Sequence, residues 1–81
     1  MQLFSLPGGQ ALRRWVRTCD NDLFGALVFK GGKAFRAQIL KDIGNEVGVA
    51  DTLSKYDDDA LFETITNLGG HCFEVNYHCD K

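Results

Sequence analysis

Leu23-Phe24-Gly25-Ala26-Leu27-Val28-Phe29-Lys30-Gly31-Gly32-Lys33-Ala34-Phe35-Arg36 has a partial echo 38 residues further on: Leu61-Phe62, Gly69-Gly70 and Phe73-Glu74 stand at the same relative positions. Acidic clusters precede both copies, Asp20 and Asp22 before the first and Asp57, Asp58 and Asp59 before the second. Each copy therefore reads as an acidic start, an apolar stretch with helical spacing, a double-glycine stop and a second element. Gly8-Gly9, followed by Ala11-Leu12-Arg13, is a fainter third occurrence. Two copies are too few for a solenoid, which needs about three units. They predict a pseudo-symmetric pair of helical hairpins.

Outward from this repeat, helical periodicity dominates. Ala11, Leu12, Trp15, Val16 and Cys19 form one stripe of an amphipathic helix, with Arg13, Arg14 and Arg17 off the stripe and solvated. Asp20-Asn21-Asp22 supplies N-cap candidates for a helix carrying Leu23, Phe24, Leu27 and Val28. The run Ala26-Leu27-Val28-Phe29 also suits a buried strand. A further helix over about Lys33 to Ile43 presents Phe35, Ile39 and Ile43 on one face, and Gly44 is a candidate C′ residue. A short helix starts near Ala50. Asp57 to Asp59 then cap a helix carrying Leu61, Phe62, Ile65 and Leu68, which Gly69-Gly70 closes. The tail from His71 to Cys79 alternates as a strand through Phe73, Val75 and Tyr77, or places Phe73 and Tyr77 one helical turn apart. As a strand its natural partner is Gln2–Leu6.

The composition is that of one globular domain over residues 1–81. Trp15 and six Phe, within a chain that is 44% hydrophobic and 25% charged, supply enough apolar area to exclude a disordered polymer. A chain this short buries only about 60–65% of its unfolded surface, so modest stability is expected. No apolar run approaches the ~20 residues of a membrane span. The first residues lack a basic start, so no secretory leader is expected. Three cysteines, Cys19, Cys72 and Cys79, are too few for a disulfide framework. Together these features predict a cytoplasmic protein with reduced thiols.

Charge is unevenly distributed. Residues 1–41 carry Arg13, Arg14, Arg17, Lys30, Lys33, Arg36 and Lys41 against two acids, a balance of +5; residues 42–81 carry Lys55 and Lys81 against nine acids, a balance of −7. Two readings follow: the halves attract each other within the fold or within a homodimer, or the basic half contacts an anionic partner.

The chemical motifs are incomplete. His71-Cys72 and His78-Cys79 are ligand types, but seven residues separate the pairs by about 10 Å along a helix. A zinc ion needs its ligands at about 2.0–2.3 Å. Asp57-Asp58-Asp59 lacks the glycine and later glutamate of a calcium loop. Gly31-Gly32-Lys33 lacks the first glycine and the Ser/Thr of a phosphate loop. The histidines and cysteines suggest no oriented nucleophile–base pair. Glu46-Val47-Gly48-Val49-Ala50-Asp51-Thr52-Leu53-Ser54-Lys55-Tyr56 resembles the turn and recognition helix of helix-turn-helix proteins, with Gly48 as the turn glycine. In that family the next core residue usually lies six positions after the glycine; here Leu53 is at five. Asp57–Asp59 at the end of the candidate recognition helix would repel phosphate.

Asp57-Asp58-Asp59-Ala60-Leu61, followed by Ile65-Thr66-Asn67-Leu68-Gly69-Gly70-His71, is similar to a segment of thiamine-diphosphate enzymes. The likeness is to the homodimeric decarboxylating component of pyruvate dehydrogenase and its transketolase-like relatives, where an acidic-capped helix leads into Gly-Gly-His-Asp. Pro7-Gly8-Gly9, Leu12-Arg13-Arg14, the Asp20–Asp22 cluster and Gly32 with Phe35-Arg36 resemble upstream features in the same order. Cys72 stands where that family has Asp, and no Gly-Asp-Gly cofactor motif is present. The resemblance implies a catalytically silent segment, with His71 the one functional position carried over.

These readings predict a mainly α fold, a bundle of four or five short helices, with room for one short β pairing of the chain ends and α+β as the alternative. They point to a non-enzymatic interaction module that binds a protein or anionic partner through Arg13, Arg14, Arg17, Lys33 and Arg36. No catalytic residue, metal ligand or cofactor is assigned. The alternatives are the silent thiamine-diphosphate relative and a helix-turn-helix-like DNA-binding protein.

Overall fold

The structure, a computed structural model, describes the backbone of residues 3–79 and the side chains of residue 3 and residues 5–69. A 3-10 turn at Leu3–Ser5 leads into five helices: α1 (Gly9–Thr18), α2 (Asn21–Lys30), α3 (Gly32–Ile43), α4 (Val49–Ser54) and α5 (Asp58–Cys79). No strand occurs among the described residues, so the mainly α expectation holds and the terminal β pairing does not. Leu3–Ser5 is helical, and His71–Cys79 is the last part of α5.

The predicted stripes are the core. On α1, Ala11, Leu12, Trp15 and Val16 are buried, and Cys19 just beyond it is buried too. Phe24 and Leu27 enter from α2, Phe35 and Ile39 from α3, Val49 and Leu53 from α4, and Leu61 and Ile65 from α5. Phe35 is the hub. Its ring lies 6.5 Å from Trp15, 5.8 Å from Phe24 and 5.7 Å from Phe62, all edge-on or tilted. Such offset arrangements favour the positive edge of one ring against the negative face of another.

Local chemistry explains most of the boundaries. Asp20 Oδ1 accepts from the Leu23 amide at 2.6 Å and Asp57 Oδ1 from the Ala60 amide at 2.7 Å, each satisfying an orphan donor at a helix start. Gly31, at φ 91° and ψ −166°, separates α2 from α3. That backbone region is essentially closed to other residues. Leu6–Gly9 and Glu46–Val49 are matching turns with Gly8 (φ 84°) and Gly48 (φ 85°) at the third position, and each closes through a hydrogen bond from the fourth residue to the first. This is type II geometry, which requires positive φ there. The two turns abut. A Cβ on Gly8 would stand 2.7 Å from the carbonyl carbon of Gly48, and one on Gly48 would stand 2.7 Å from Pro7. The buried Thr52 hydroxyl donates to the Pro7 carbonyl across the same contact. This clasp joins the starts of α1 and α4.

Two expected helix ends differ. Gly44 follows α3 in a right-handed conformation (φ −60°), not as a left-handed cap. Gly69-Gly70 does not close a helix. α5 continues through both residues for a total of 22, about 33 Å of helix. The second repeat copy is thus one continuous helix, and the expected pair of hairpins is reduced to one.

Candidate functional site

α1 is held on one side by its buried stripe and at its start by the Gly8–Gly48 clasp. Its opposite side exposes Gln10, Arg13, Arg14, Arg17 and Thr18, which line one open groove. The spacing of i, i+3, i+4 and i+7 places Gln10 and the three guanidinium groups on a single ridge. Arg14 Nη2 lies 2.7 Å from Glu46 Oε1, in a solvent-exposed pair that contributes less than about 1 kcal/mol to stability. Arg13 and Arg17 have no ion-pair partner among the described residues. The structure therefore gathers three of the five predicted binding residues on one helix face.

Lys33 and Arg36 lie elsewhere, on α3. Lys33 is exposed in the first turn. Arg36 is drawn inward, with its side chain 27% accessible. Its Nε donates to Asp58 Oδ1 at 2.9 Å, its Nη1 to the Leu53 carbonyl at 2.7 Å and its Nη2 to the Tyr56 carbonyl. Those carbonyls belong to the last turn of α4 and the loop after it, where helical partners run out. Arg36 thus ties the end of α4 to the start of α5, and its fork of donors is the group suited to this. Both ion pairs among the described residues, Arg14–Glu46 and Arg36–Asp58, join the basic half of the chain to the acidic half. Part of the charge asymmetry is consumed inside the fold.

Asp42, near the end of α3, accepts from Trp15 Nε1 at 2.8 Å and from Gln38 Nε2 at 3.0 Å. These hydrogen bonds, that of Gln38 first, hold its carboxyl below the ordinary carboxylate range. Burial, reinforced by Asp42 and Asp20, pushes the Cys19 thiol up to about 11. At neutral pH it is a packed, protonated thiol and not a nucleophile. Among the described residues no group of three His, Cys, Asp or Glu side chains is placed to hold a metal ion. His71, Cys72, His78 and Cys79, including the carried-over His71, lie outside the described side chains.

The helix-turn-helix reading places its recognition helix on α4. That helix is six residues long, its Val49, Thr52 and Leu53 are buried, and it exposes Ala50, Asp51 and Ser54. Gly48 does adopt the left-handed turn conformation, but Val47 beside it is 94% exposed rather than packed. No helix among the described residues is long and apolar enough to cross a membrane.

A second surface was not expected. Leu23, Ala26, Leu27, Ala34 and Ala37 line a groove between α2 and α3, with Gln38, Lys30 and Lys41 at its borders. Phe29, on the same side of α2 one turn beyond Ala26, is 92% exposed. The available signal was the continuous apolar character of Ala26–Phe29, which equally fits a buried strand.

Comparisons with known protein families, with curated proteins and with solved structures find no match for this chain.

Proposed function

We propose that this chain is a non-enzymatic interaction module that holds an acidic segment of a partner protein on the arginine ridge of α1. The observation that carries the reading is the contrast within the ridge. Arg14 already grips a carboxylate at 2.7 Å, while Arg13 and Arg17 beside it have no ion-pair partner among the described residues. Guanidinium groups bind carboxylates through paired, charge-assisted hydrogen bonds. A helix packed by Leu12, Trp15 and Val16 fixes the backbone that carries them, so binding orders side chains and not the chain itself. Lys33, exposed at the start of α3, lies apart from the ridge. Arg36 acts on the fold, through Asp58 and two carbonyls, and only indirectly on the surface.

The test is affinity capture from cell extract with the wild-type chain and an Arg13→Ala/Arg17→Ala variant, read by mass spectrometry. Proteins retained by the wild type alone, with binding that weakens between 50 and 200 mM salt in purified form, support the ridge; rim charges act through screened, long-range attraction (Debye lengths of about 8–10 Å near 0.1–0.15 M salt). The same set of proteins captured by both chains would reject it. Sedimentation of the purified chain tests the homodimer, in which the acidic half of a second copy supplies the carboxylates.

A further inference from the structure

We infer that the groove between α2 and α3 is a second docking site, independent of the arginine ridge, and that its occupant is an acidic amphipathic helix of a partner protein. α2 is apolar nearly all round: Leu23, Phe24, Ala26, Leu27, Val28 and Phe29 occupy six of its ten positions. Only Phe24 and Leu27 are buried. A helix that is hydrophobic on every side is normally covered on every side. Here the outer side is left open, and Phe29 at 92% exposure is an isolated aromatic ring in water.

The shape and charge of the groove select the occupant. Ala26, Ala34 and Ala37 keep its walls low, so a third helix can approach α2 and α3 at ordinary interaxial distances of about 8–10 Å. Leu23 and Leu27 give that helix an apolar floor. Lys30 borders the end nearest Gly31 and Lys41 the far end, and Lys33 is exposed in the first turn of α3. None of the three has an ion-pair partner among the described residues. The stretch of α2 from Leu23 to Lys30 covers about 10 Å, so about two turns of helix fill it. Apolar residues at i, i+3 or i+4 and i+7, flanked by Glu or Asp, match this floor and this border.

The described part of a second copy's acidic half is a poor occupant. The apolar residues Leu61 and Ile65 of its acidic helix α5 are fully buried in its own core, and α4 exposes only Ala50, Asp51 and Ser54. Neither helix has a free apolar face to offer among the described residues. Nucleic acid would use the lysines and leave the apolar floor unmatched.

The experiment uses the full chain, labelled with nitrogen-15, and a synthetic 16-residue helical peptide with Leu along one face and Glu along the other. A matched peptide carrying Lys in place of Glu is the control. Amide shifts are expected along Leu23–Lys30 and Ala34–Lys41, with the Glu peptide alone. Lys30→Glu/Lys41→Glu should weaken the Glu peptide at least tenfold and admit the Lys peptide. Phe29→Ala should weaken it several-fold, as for an exposed aromatic anchor. Unchanged circular dichroism checks that these surface variants fold. Shifts centred on Arg13 and Arg17, equal binding by the charge-reversed variant, or no binding would overturn the proposal. So would a dimer of the chain that Phe29→Ala dissolves, because the groove would then belong to a second copy. Arg13→Ala/Arg17→Ala should leave peptide binding intact, which separates failure of this site from failure of the ridge.

Discussion

Gly31-Gly32 and Gly69-Gly70 sit at the same place in two copies of one pattern, yet one pair breaks a helix and the other is carried through it. The difference lies in what each meets. Gly31 takes a backbone conformation outside the helical range, and Gly32 lies directly on the start of α5, where a Cβ would come within 1.8 Å of the Asp58 carbonyl oxygen. The first pair therefore reverses the chain and lets α3 touch α5 backbone to backbone. Gly69 faces a side chain instead: a Cβ there would stand 2.1 Å from the Phe24 ring. It stays helical, and its missing side chain is the seat of that ring. A glycine inside a helix costs about 0.5–1 kcal/mol relative to alanine, and the seated ring offsets this. The same dipeptide thus acts as a backbone hinge in one copy and a packing notch in the other.

Substitutions should separate these roles, beginning with the most damaging. Gly32→Ala drives a methyl group into backbone that cannot turn aside, and should destabilise by about 3 kcal/mol, at the upper end for overpacking. A denaturant midpoint near that of the wild type would show that α3 and α5 do not meet as described. The residue four positions later marks the next contrast, because the first copy has Arg36 where the second has Glu74. Arg36→Ala removes the donors to Asp58, Leu53 and Tyr56 and should cost about 2 kcal/mol. Arg36→Lys should recover only part of it, since an ammonium cannot reproduce the fork. Gly69→Ala should cost less, about 1–2 kcal/mol, because a ring can shift where a backbone cannot. In a Phe24→Leu background most of that penalty should vanish, a coupling of about 1 kcal/mol in a double-mutant cycle. If the two costs simply add, Gly69 does not seat Phe24. At the far end of the scale, Gly25 is exposed in α2 with open space around it. Gly25→Ala should stabilise by about 0.5–1 kcal/mol in thermal unfolding.

Much of the architecture was legible in the residues themselves. The stripes of α1, α3 and α5 need only a 3.6-residue period to read, and the caps at Asp20 and Asp57 need only a carboxylate ahead of a helix. The arginine ridge follows from the same spacing, because residues off a buried stripe must face water. The sequence around Arg36 carries no sign of Leu53, Tyr56 and Asp58 folding over it, so charge alone places it among the binding residues. The α2–α3 groove was missed for a related reason. An apolar run shows that burial is favourable but not which sides will be covered, and here Phe29 is left outside.

By itself the sequence determined which faces of α1, α3 and α5 would be dry, where several helices would start, and that positive charge would gather in the first half of the chain. These are local matters of period, capping and composition. Tertiary structure alone decided which double glycine would bend the chain, which arginine would be spent within the fold and which apolar side would remain open. Those outcomes depend on atoms brought within a few ångströms from distant parts of the chain, and no neighbouring residue encodes that distance.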